Sequence, residues 1–90
     1  MNDVLVNRSN KAAYRIIDRE AMVVAPGSDI LYVLNRVGSR IWEMADGETR
    51  TSRIARALCE EFDVAYDRAY KDTLVFVSEL SSKGLLELQP

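Results

Sequence analysis

The sequence predicts an α+β domain of winged helix-turn-helix type, in which a three-stranded antiparallel sheet is followed by three α-helices. The main observation is a change in the period of the hydrophobic pattern from 2 to 3.6 near residue 35. Before that residue the apolar segments are short and rich in β-branched side chains, and after it they recur at helical spacing. Ninety residues with 48% hydrophobic content are enough for one domain with a modest core.

Three short segments are typical of strands: residues 13–18, 21–25 and 30–34. A tight connection at Arg19-Glu20 joins the first two, and a turn that contains Pro and Gly joins the last two. The short connections predict a meander. Residues 1–12 are mixed and polar, and we expect them to be partly mobile.

Asn35 is a suitable N-cap for a first helix that runs to about residue 45. Gly47 can take the left-handed conformation that closes a helix. Thr51 is a candidate N-cap for a second helix, which runs to about residue 62. The connection between these two helices is predicted to be a loop.

A third helix is predicted from residue 66 to residue 83, and Gly84 ends it. Residues 85–88 can add a short final strand. Trp42 of the first helix and Phe76 of the third are expected in one shared core.

The composition argues against an enzyme. The chain has no histidine and a single cysteine, Cys59. This excludes Ser-His and Cys-His pairs and an internal disulfide, and it leaves no recognisable metal or cofactor site.

The charge distribution argues against nucleic acid as a partner. Net charge is −2, and residues 59–90 hold three Lys or Arg against seven Asp or Glu. Arg50, Arg53 and Arg56, with Arg36 and Arg40, could form a basic patch, although a solvated helix face explains them as well. No membrane span or secretory signal is evident, so a cytoplasmic location is expected.

Two features could carry function. The first is the third strand, Ile30-Leu31-Tyr32-Val33, which has no Pro or Lys to block pairing. An open edge of this kind permits strand addition by a peptide. The alternatives are a central strand, or an edge that pairs in a homodimer.

The second feature is a half-apolar face on the third helix, outside its core stripe. Leu74 is its largest apolar member and could line a groove for an apolar ligand, or pack under the sheet instead. The whole face comprises Tyr70, Lys71, Leu74 and Ser78.

The residues from about Tyr14 to Leu88 resemble the PqqD family, of the pyrroloquinoline quinone biosynthesis protein D type. Members also occur as recognition elements for ribosomally made, post-translationally modified peptides (RiPPs). The resemblance rests on short motifs in a fixed order: Leu34-Asn35, Gly38, Ile41-Trp42-Glu43, Asp46-Gly47, Thr51, Ile54, Leu58, Phe62-Asp63-Val64, Asp72, Phe76, Leu80 and Gly84-Leu85-Leu86. Thr73 departs from the pattern, because an aliphatic residue is usual there, and so does the segment from Met22 to Gly27.

The resemblance implies a non-catalytic peptide chaperone. Such a protein binds the leader of a precursor peptide as an added strand on its third strand, beside the third helix. It delivers that leader to a modifying enzyme, often of the radical S-adenosylmethionine (SAM) class. The alternative is a winged-helix transcriptional regulator, and the lack of net positive charge on the third helix argues against it. The sequence leaves the oligomeric state open between monomer and homodimer.

Overall fold

The computed structural model describes residues 3–90 of the chain. Within these residues, six strands and three helices follow one another in the order β1, β2, β3, β4, α1, β5, α2, α3, β6. Their bounds are β1 Leu5–Arg8, β2 Ala13–Ile17, β3 Glu20–Val24, β4 Leu31–Val33, α1 Arg36–Met44, β5 Asp46–Arg50, α2 Thr51–Phe62, α3 Tyr66–Ser82 and β6 Leu86–Gln89. This is the predicted α+β architecture, with a second sheet added to it.

The predicted meander is confirmed as a three-stranded antiparallel sheet with the order β2-β3-β4. The pairs Val23↔Tyr32 and Met22↔Val33 fix the register of β3 against β4. Opposed residues share a face, so Val23, which is buried, places Tyr32 on the core side of the sheet. The tight connection is Asp18-Arg19, one residue earlier than predicted, and both residues have positive φ, of 51° and 67°.

A second antiparallel sheet, with the order β5-β1-β6, was not predicted beyond its last strand. The segment expected to be partly mobile contains β1, which is the central strand of this sheet. Val6 in β1 is fully buried, and it pairs with Thr49 in β5 on one side and with Leu88 in β6 on the other. A four-residue strand of mixed apolar and polar residues carries too little pattern to identify it from sequence. Residues 1 and 2 lie outside the described part of the chain.

The N-terminus of α1 is formed as predicted, because Asn35 Oδ1 accepts a hydrogen bond from the Gly38 N–H at 2.8 Å. The end of the helix differs from the prediction. Ala45 is the C-cap, and the Arg8 guanidinium donates to the Trp42 and Glu43 carbonyls at 2.8 and 2.9 Å. Gly47 has the expected positive φ of 83°, but it lies in β5 beside a register shift in β1.

The N-cap prediction for Thr51 is wrong, because Thr51 is the buried first residue of α2. Asp3, which is distant in sequence, supplies the capping group: its carboxylate accepts from the Ser52 N–H at 2.8 Å and from the Thr51 hydroxyl at 2.9 Å. Burial acts to raise the pKa of Asp3, but these hydrogen bonds outweigh it and lower the pKa below its usual 3.8.

The end of α3 agrees with the prediction. Gly84 has a φ of 76°, and its N–H donates to the Ser81 carbonyl at 3.0 Å. The Leu85 N–H reaches back to the Leu80 carbonyl at 2.9 Å, and both leucine side chains are buried. This Schellman motif turns the chain directly into β6.

The core joins both sheets to the three helices. Trp42 is fully buried in its centre and makes an edge-to-face contact with Tyr14 at a centroid distance of 5.3 Å. Phe76 packs against the edge of the same cluster, so the shared core of Trp42 and Phe76 is confirmed. A Cβ on Gly38 would lie only 2.8 Å from the Phe76 ring, so glycine is required for this approach of α3 to α1. The unusual Thr73 is accommodated because its hydroxyl donates to the Ala69 carbonyl at 2.7 Å.

Candidate functional site

The strongest candidate site is the open edge of the β2-β3-β4 sheet. Strand β4 pairs with β3 on one side, and among the described residues no strand pairs with its other side. The side chains of Leu31 and Val33 are 55% and 59% exposed, whereas Tyr32 is partly buried against the core. β4 is therefore an edge strand, as the sequence predicted.

The hydrogen-bond pattern shows which backbone groups of β4 are free. The Leu34 N–H donates to the Ala21 carbonyl at 2.8 Å. Because bonding alternates along an antiparallel strand, Tyr32 also directs its backbone groups toward β3. Leu31 and Val33 then direct their N–H and C=O groups toward the open side. The N–H of Ile30 is already used, since it donates to the Ser28 hydroxyl at 3.0 Å.

Helix α3 reaches this part of the molecule through Phe76 and Lys83. The Lys83 ammonium lies 5.7 Å from the centre of the Tyr32 ring, a cation–π contact between the end of α3 and β4. Phe76 approaches Gly38, three residues after the N-cap that follows β4. These two contacts place the C-terminal end of α3 against Tyr32 of β4, and Phe76 against α1.

The face predicted on α3 lies on a different side of the helix. At about 100° per residue, Phe76 and Lys83 are about 20° apart, and Leu74 is about 160° from Phe76. Tyr70 is partly buried and stacks on Tyr66 with a centroid distance of 5.9 Å. Leu74 and Ser78 are half-buried, and Lys71 is exposed. The contacts that tie α3 to β4 and α1 come from outside this predicted set.

A family model described as coenzyme PQQ synthesis protein D (PqqD) matches residues 20–86, from the first residue of β3 into β6. The chain belongs to the PqqD family. The matched region contains the open edge and α3.

Two solved structures resemble this PqqD-family chain, while no curated protein matches it. TbiB1, in complex with the TbiA(beta) leader peptide, is 30% identical, with a TM-score of 0.81 and coverage of 90% of this chain and 94% of TbiB1. The PqqD truncation of Methylobacterium extorquens PqqCD is described as a stand-alone RiPP recognition element. It is 21% identical, with a TM-score of 0.74 and coverage of 93% and 88%, and it supports the fold.

The contact between Lys83 and Tyr32 was not predicted, because the prediction followed the spacing of apolar residues on one helix. An available signal was Lys83 itself, since lysines near a helix end often extend over a neighbouring aromatic ring. Val75, an apolar residue outside the core stripe, is 52% exposed. It lies about 100° from Phe76 and about 40° from Lys71, between the two faces.

The arginines of this PqqD-family chain do not form one basic patch. Arg56 lies over the Tyr66 ring, at 5.6 Å from its centre, and Arg50 donates to the Asp3 carbonyl. Arg40 pairs with Glu61 at 2.9 Å. Within residues 3–90 no acidic, Cys or His cluster fits a metal ion, and no helix there is long and apolar enough to cross a membrane.

Proposed function

We propose that this chain is a peptide-recognition element that binds the leader of a ribosomally made precursor peptide and presents it to a modifying enzyme. The observation that carries the proposal is the open edge of β4, where Leu31 and Val33 leave their backbone groups free beside α3. TbiB1, a relative in which a leader peptide is bound, supports the same class of ligand.

Strand addition fits the chemistry of this edge. A peptide that pairs with β4 satisfies the free N–H and C=O groups without requiring a particular side chain. Affinity then comes from the backbone, and selectivity comes from the pockets that alternate side chains enter. The exposed side chains of Leu31 and Val33 lie on the outer face of the sheet. Apolar side chains of an added strand can therefore pack beside them on that face.

The second wall of the site is the side of α3 that carries Phe76 and Lys83. Val75 adds apolar surface at its border, and Glu79 lies between Phe76 and Lys83 in sequence, about 60° from Phe76. The face predicted from sequence, which comprises Tyr70, Lys71, Leu74 and Ser78, stays a prediction. Substitutions on the two faces distinguish them.

The chain acts as a carrier and not as a catalyst in this proposal. The sequence supplies no histidine for acid–base chemistry. The modifying enzyme is expected to be of the radical SAM class, as the family resemblance implies. A cytoplasmic location and a monomeric or homodimeric state remain predictions of the same kind.

A DNA-binding role is not favoured. The winged helix-turn-helix arrangement reads DNA with basic and amide side chains on its recognition helix. In α3, Arg68 pairs with Asp72 at 3.6 Å, and the helix as a whole carries more acidic than basic residues. Such a surface does not attract a phosphate backbone.

The proposal is tested by titrating the ¹⁵N-labelled chain with a synthetic leader peptide from its own gene cluster. Leu31→Pro and Val33→Pro each remove an N–H on the open side and should weaken binding at least tenfold. Leu31→Ala and Val33→Ala are the matched controls, because they keep the N–H and should bind within about threefold of the parent, roughly 0.6 kcal/mol.

Melting curves show that each variant is folded. Equal binding by the proline and alanine variants would exclude backbone pairing at β4. Amide shifts centred on Arg50, Arg53 and Arg56 would place the peptide elsewhere.

A further inference from the structure

A cleft of about 650 Å³ lies on a part of the surface that the proposed leader site does not use. The β2–β3 turn, α1 and the end of α2 enclose it. Its lining residues are Arg19, Arg36, Arg40, Glu43, Glu61 and Phe62. Five of these six side chains are charged, and Phe62 supplies an apolar wall.

The charges in this cleft are only partly neutralised. Arg40 makes a bidentate pair with Glu61, with distances of 2.9 and 3.2 Å. The hydrogen bonds that Arg40 donates to the Glu61 carboxylate raise the pKa of Arg40, so this guanidinium is charged at any physiological pH. Arg19 and Arg36 have no ion-pair partner among residues 3–90. The lining therefore has three positive and two negative groups and keeps a charge of +1.

Arg19 borders the cleft from a backbone conformation that arginine rarely adopts. Arg19 has a φ of 67° in the two-residue β2–β3 turn, where glycine is the preferred residue. A left-handed conformation costs an L-residue free energy that glycine would not lose. The tip of the β2–β3 hairpin therefore carries the long cationic side chain of Arg19, and this tip borders the cleft.

The cleft and the contact between α1 and α3 lie on opposite sides of α1. At about 100° per residue, Arg36, Arg40 and Glu43 fall within about 60° of one another. Gly38, which meets Phe76 of α3, lies about 160° from both Arg36 and Arg40. The cleft therefore lies on the side of α1 that faces away from Phe76 of α3, and it shares no lining residue with the β4 edge.

We propose that this cleft docks the modifying enzyme, through an enzyme segment in which an acidic residue follows or precedes an apolar one. This inference rests on the proposed function, because a carrier of a leader peptide needs a surface for the enzyme that the leader does not cover. The free Arg19 and Arg36 guanidiniums fit a carboxylate, which an arginine can bind through two hydrogen bonds. Phe62 fits the neighbouring apolar side chain.

The balance of charges selects the occupant. A residual charge of +1 suits one carboxylate, and Glu43 and Glu61 repel a polyanion such as a nucleic-acid backbone. Electrostatic complementarity of this kind mainly raises the association rate and the specificity, and its effect falls with salt.

The test measures enzyme binding and leader binding separately. The full chain is titrated with the purified peptide-modifying enzyme encoded in its gene cluster, without leader, and then with the synthetic leader without enzyme. Arg19→Glu and Arg36→Glu should each weaken enzyme binding at least tenfold and leave leader affinity within twofold. Arg53→Glu is the control, because Arg53 is exposed and lies outside the cleft.

A small probe tests the chemistry of the cleft directly. Acetyl-Leu-Glu-Leu-amide should shift the amides of Arg36, Arg40 and Phe62 in the ¹⁵N-labelled chain, and acetyl-Leu-Gln-Leu-amide should shift them less. The inference is overturned if both peptides act alike, if Arg53→Glu weakens enzyme binding equally, or if the cleft variants lose leader and enzyme together. If the parent chain does not bind the leader, the proposed function is wrong. Enzyme binding at the cleft can still be measured in that case, so the two failures are distinguishable.

Discussion

The indole of Trp42 combines a large apolar surface with a polar group that is left unpaired. Its side chain is fully buried, and its Nε1–H is the buried side-chain polar group without a hydrogen-bond partner in residues 3–90. The ring is held by packing, including the contact with Tyr14. Stability at this position therefore depends on volume and not on the N–H.

Trp42→Ala should lower the free energy of unfolding by about 3–5 kcal/mol, because it leaves a large cavity. In a domain whose total stability is on the order of 5–8 kcal/mol, that change approaches unfolding. Trp42→Phe removes the unpaired N–H and keeps most of the volume, so it should cost clearly less. Thermal melts provide the comparison, and an alanine variant that melts within two degrees of the parent would contradict the placement.

Gly38 controls the distance between α1 and α3. Gly38→Ala should destabilise by about 1–3 kcal/mol, because the new methyl group would overlap the Phe76 ring. Phe76→Leu in the same chain should recover part of this loss, since a shorter side chain vacates the contact. Urea unfolding of the single and double variants measures the coupling, and strictly additive effects would show that the two positions do not meet.

At the scale of the element, α2 depends on a cap that comes from a distant segment. Asp3→Ala should cost about 0.5–2 kcal/mol at neutral pH, as loss of an N-cap does. The folded-state pKa of Asp3 is lowered, so its contribution is complete above the ordinary value of 3.8. That contribution is lost as the pH falls through the folded-state pKa.

Urea unfolding at several pH values checks this prediction. The gap in stability between the parent and Asp3→Ala should stay constant from pH 7 to about pH 5 and narrow below pH 4. Arg53→Ala on the same helix is the control, and it should show no such narrowing. A gap independent of pH would mean that the carboxylate charge does not matter for the cap.

The two faces of α3 make opposite predictions for peptide binding. Val75→Asp should weaken leader binding at least tenfold, about 1.4 kcal/mol, because it places a charge on exposed apolar surface between the two faces. Leu74→Asp should change binding less, because Leu74 lies about 160° from Phe76. Isothermal titration with the leader peptide decides between them, and a loss confined to Leu74→Asp would support the face of Tyr70, Lys71, Leu74 and Ser78.

At the scale of the whole molecule, β1 holds the second sheet together. β5 and β6 pair with β1 and not with each other, and Val6 contributes a fully buried side chain to the core. The C-terminal carbonyls of α1 accept hydrogen bonds from Arg8 of β1, which joins this sheet to α1. The N-terminal segment is therefore part of the folded unit.

Deletion of residues 1–9 should destabilise the whole domain, because it removes β1, the Asp3 cap and the Arg8 contacts together. Loss of a cooperative melting transition is the expected result. The β4 edge would be affected only through the core, so stabilising solutes should recover leader binding. A truncated chain with the stability of the parent would show that the second sheet adds nothing.

Elements with local signals could be predicted from the amino-acid sequence alone. The change from period 2 to period 3.6 located the β2–β4 sheet and the three helices, and Asn35 and Gly84 marked helix ends through hydrogen bonds within a few residues. The sequence also favoured an open edge at β4, because the strand has no Pro or Lys, but it left a central strand or a homodimer contact as alternatives. The helix ends and the strand pattern depend only on neighbours in the chain.

Features that join distant segments of the chain became visible only in the folded molecule. β1 and β5 are short and carry little local pattern, and they are strands because they pair with each other and because β1 also pairs with β6. Asp3 caps α2 across 49 positions, a contact that no local pattern contains. The side of α3 beside β4 and the cleft of Arg19, Arg36 and Glu61 follow from how the helices cross, and helix orientation is set by packing and not by periodicity.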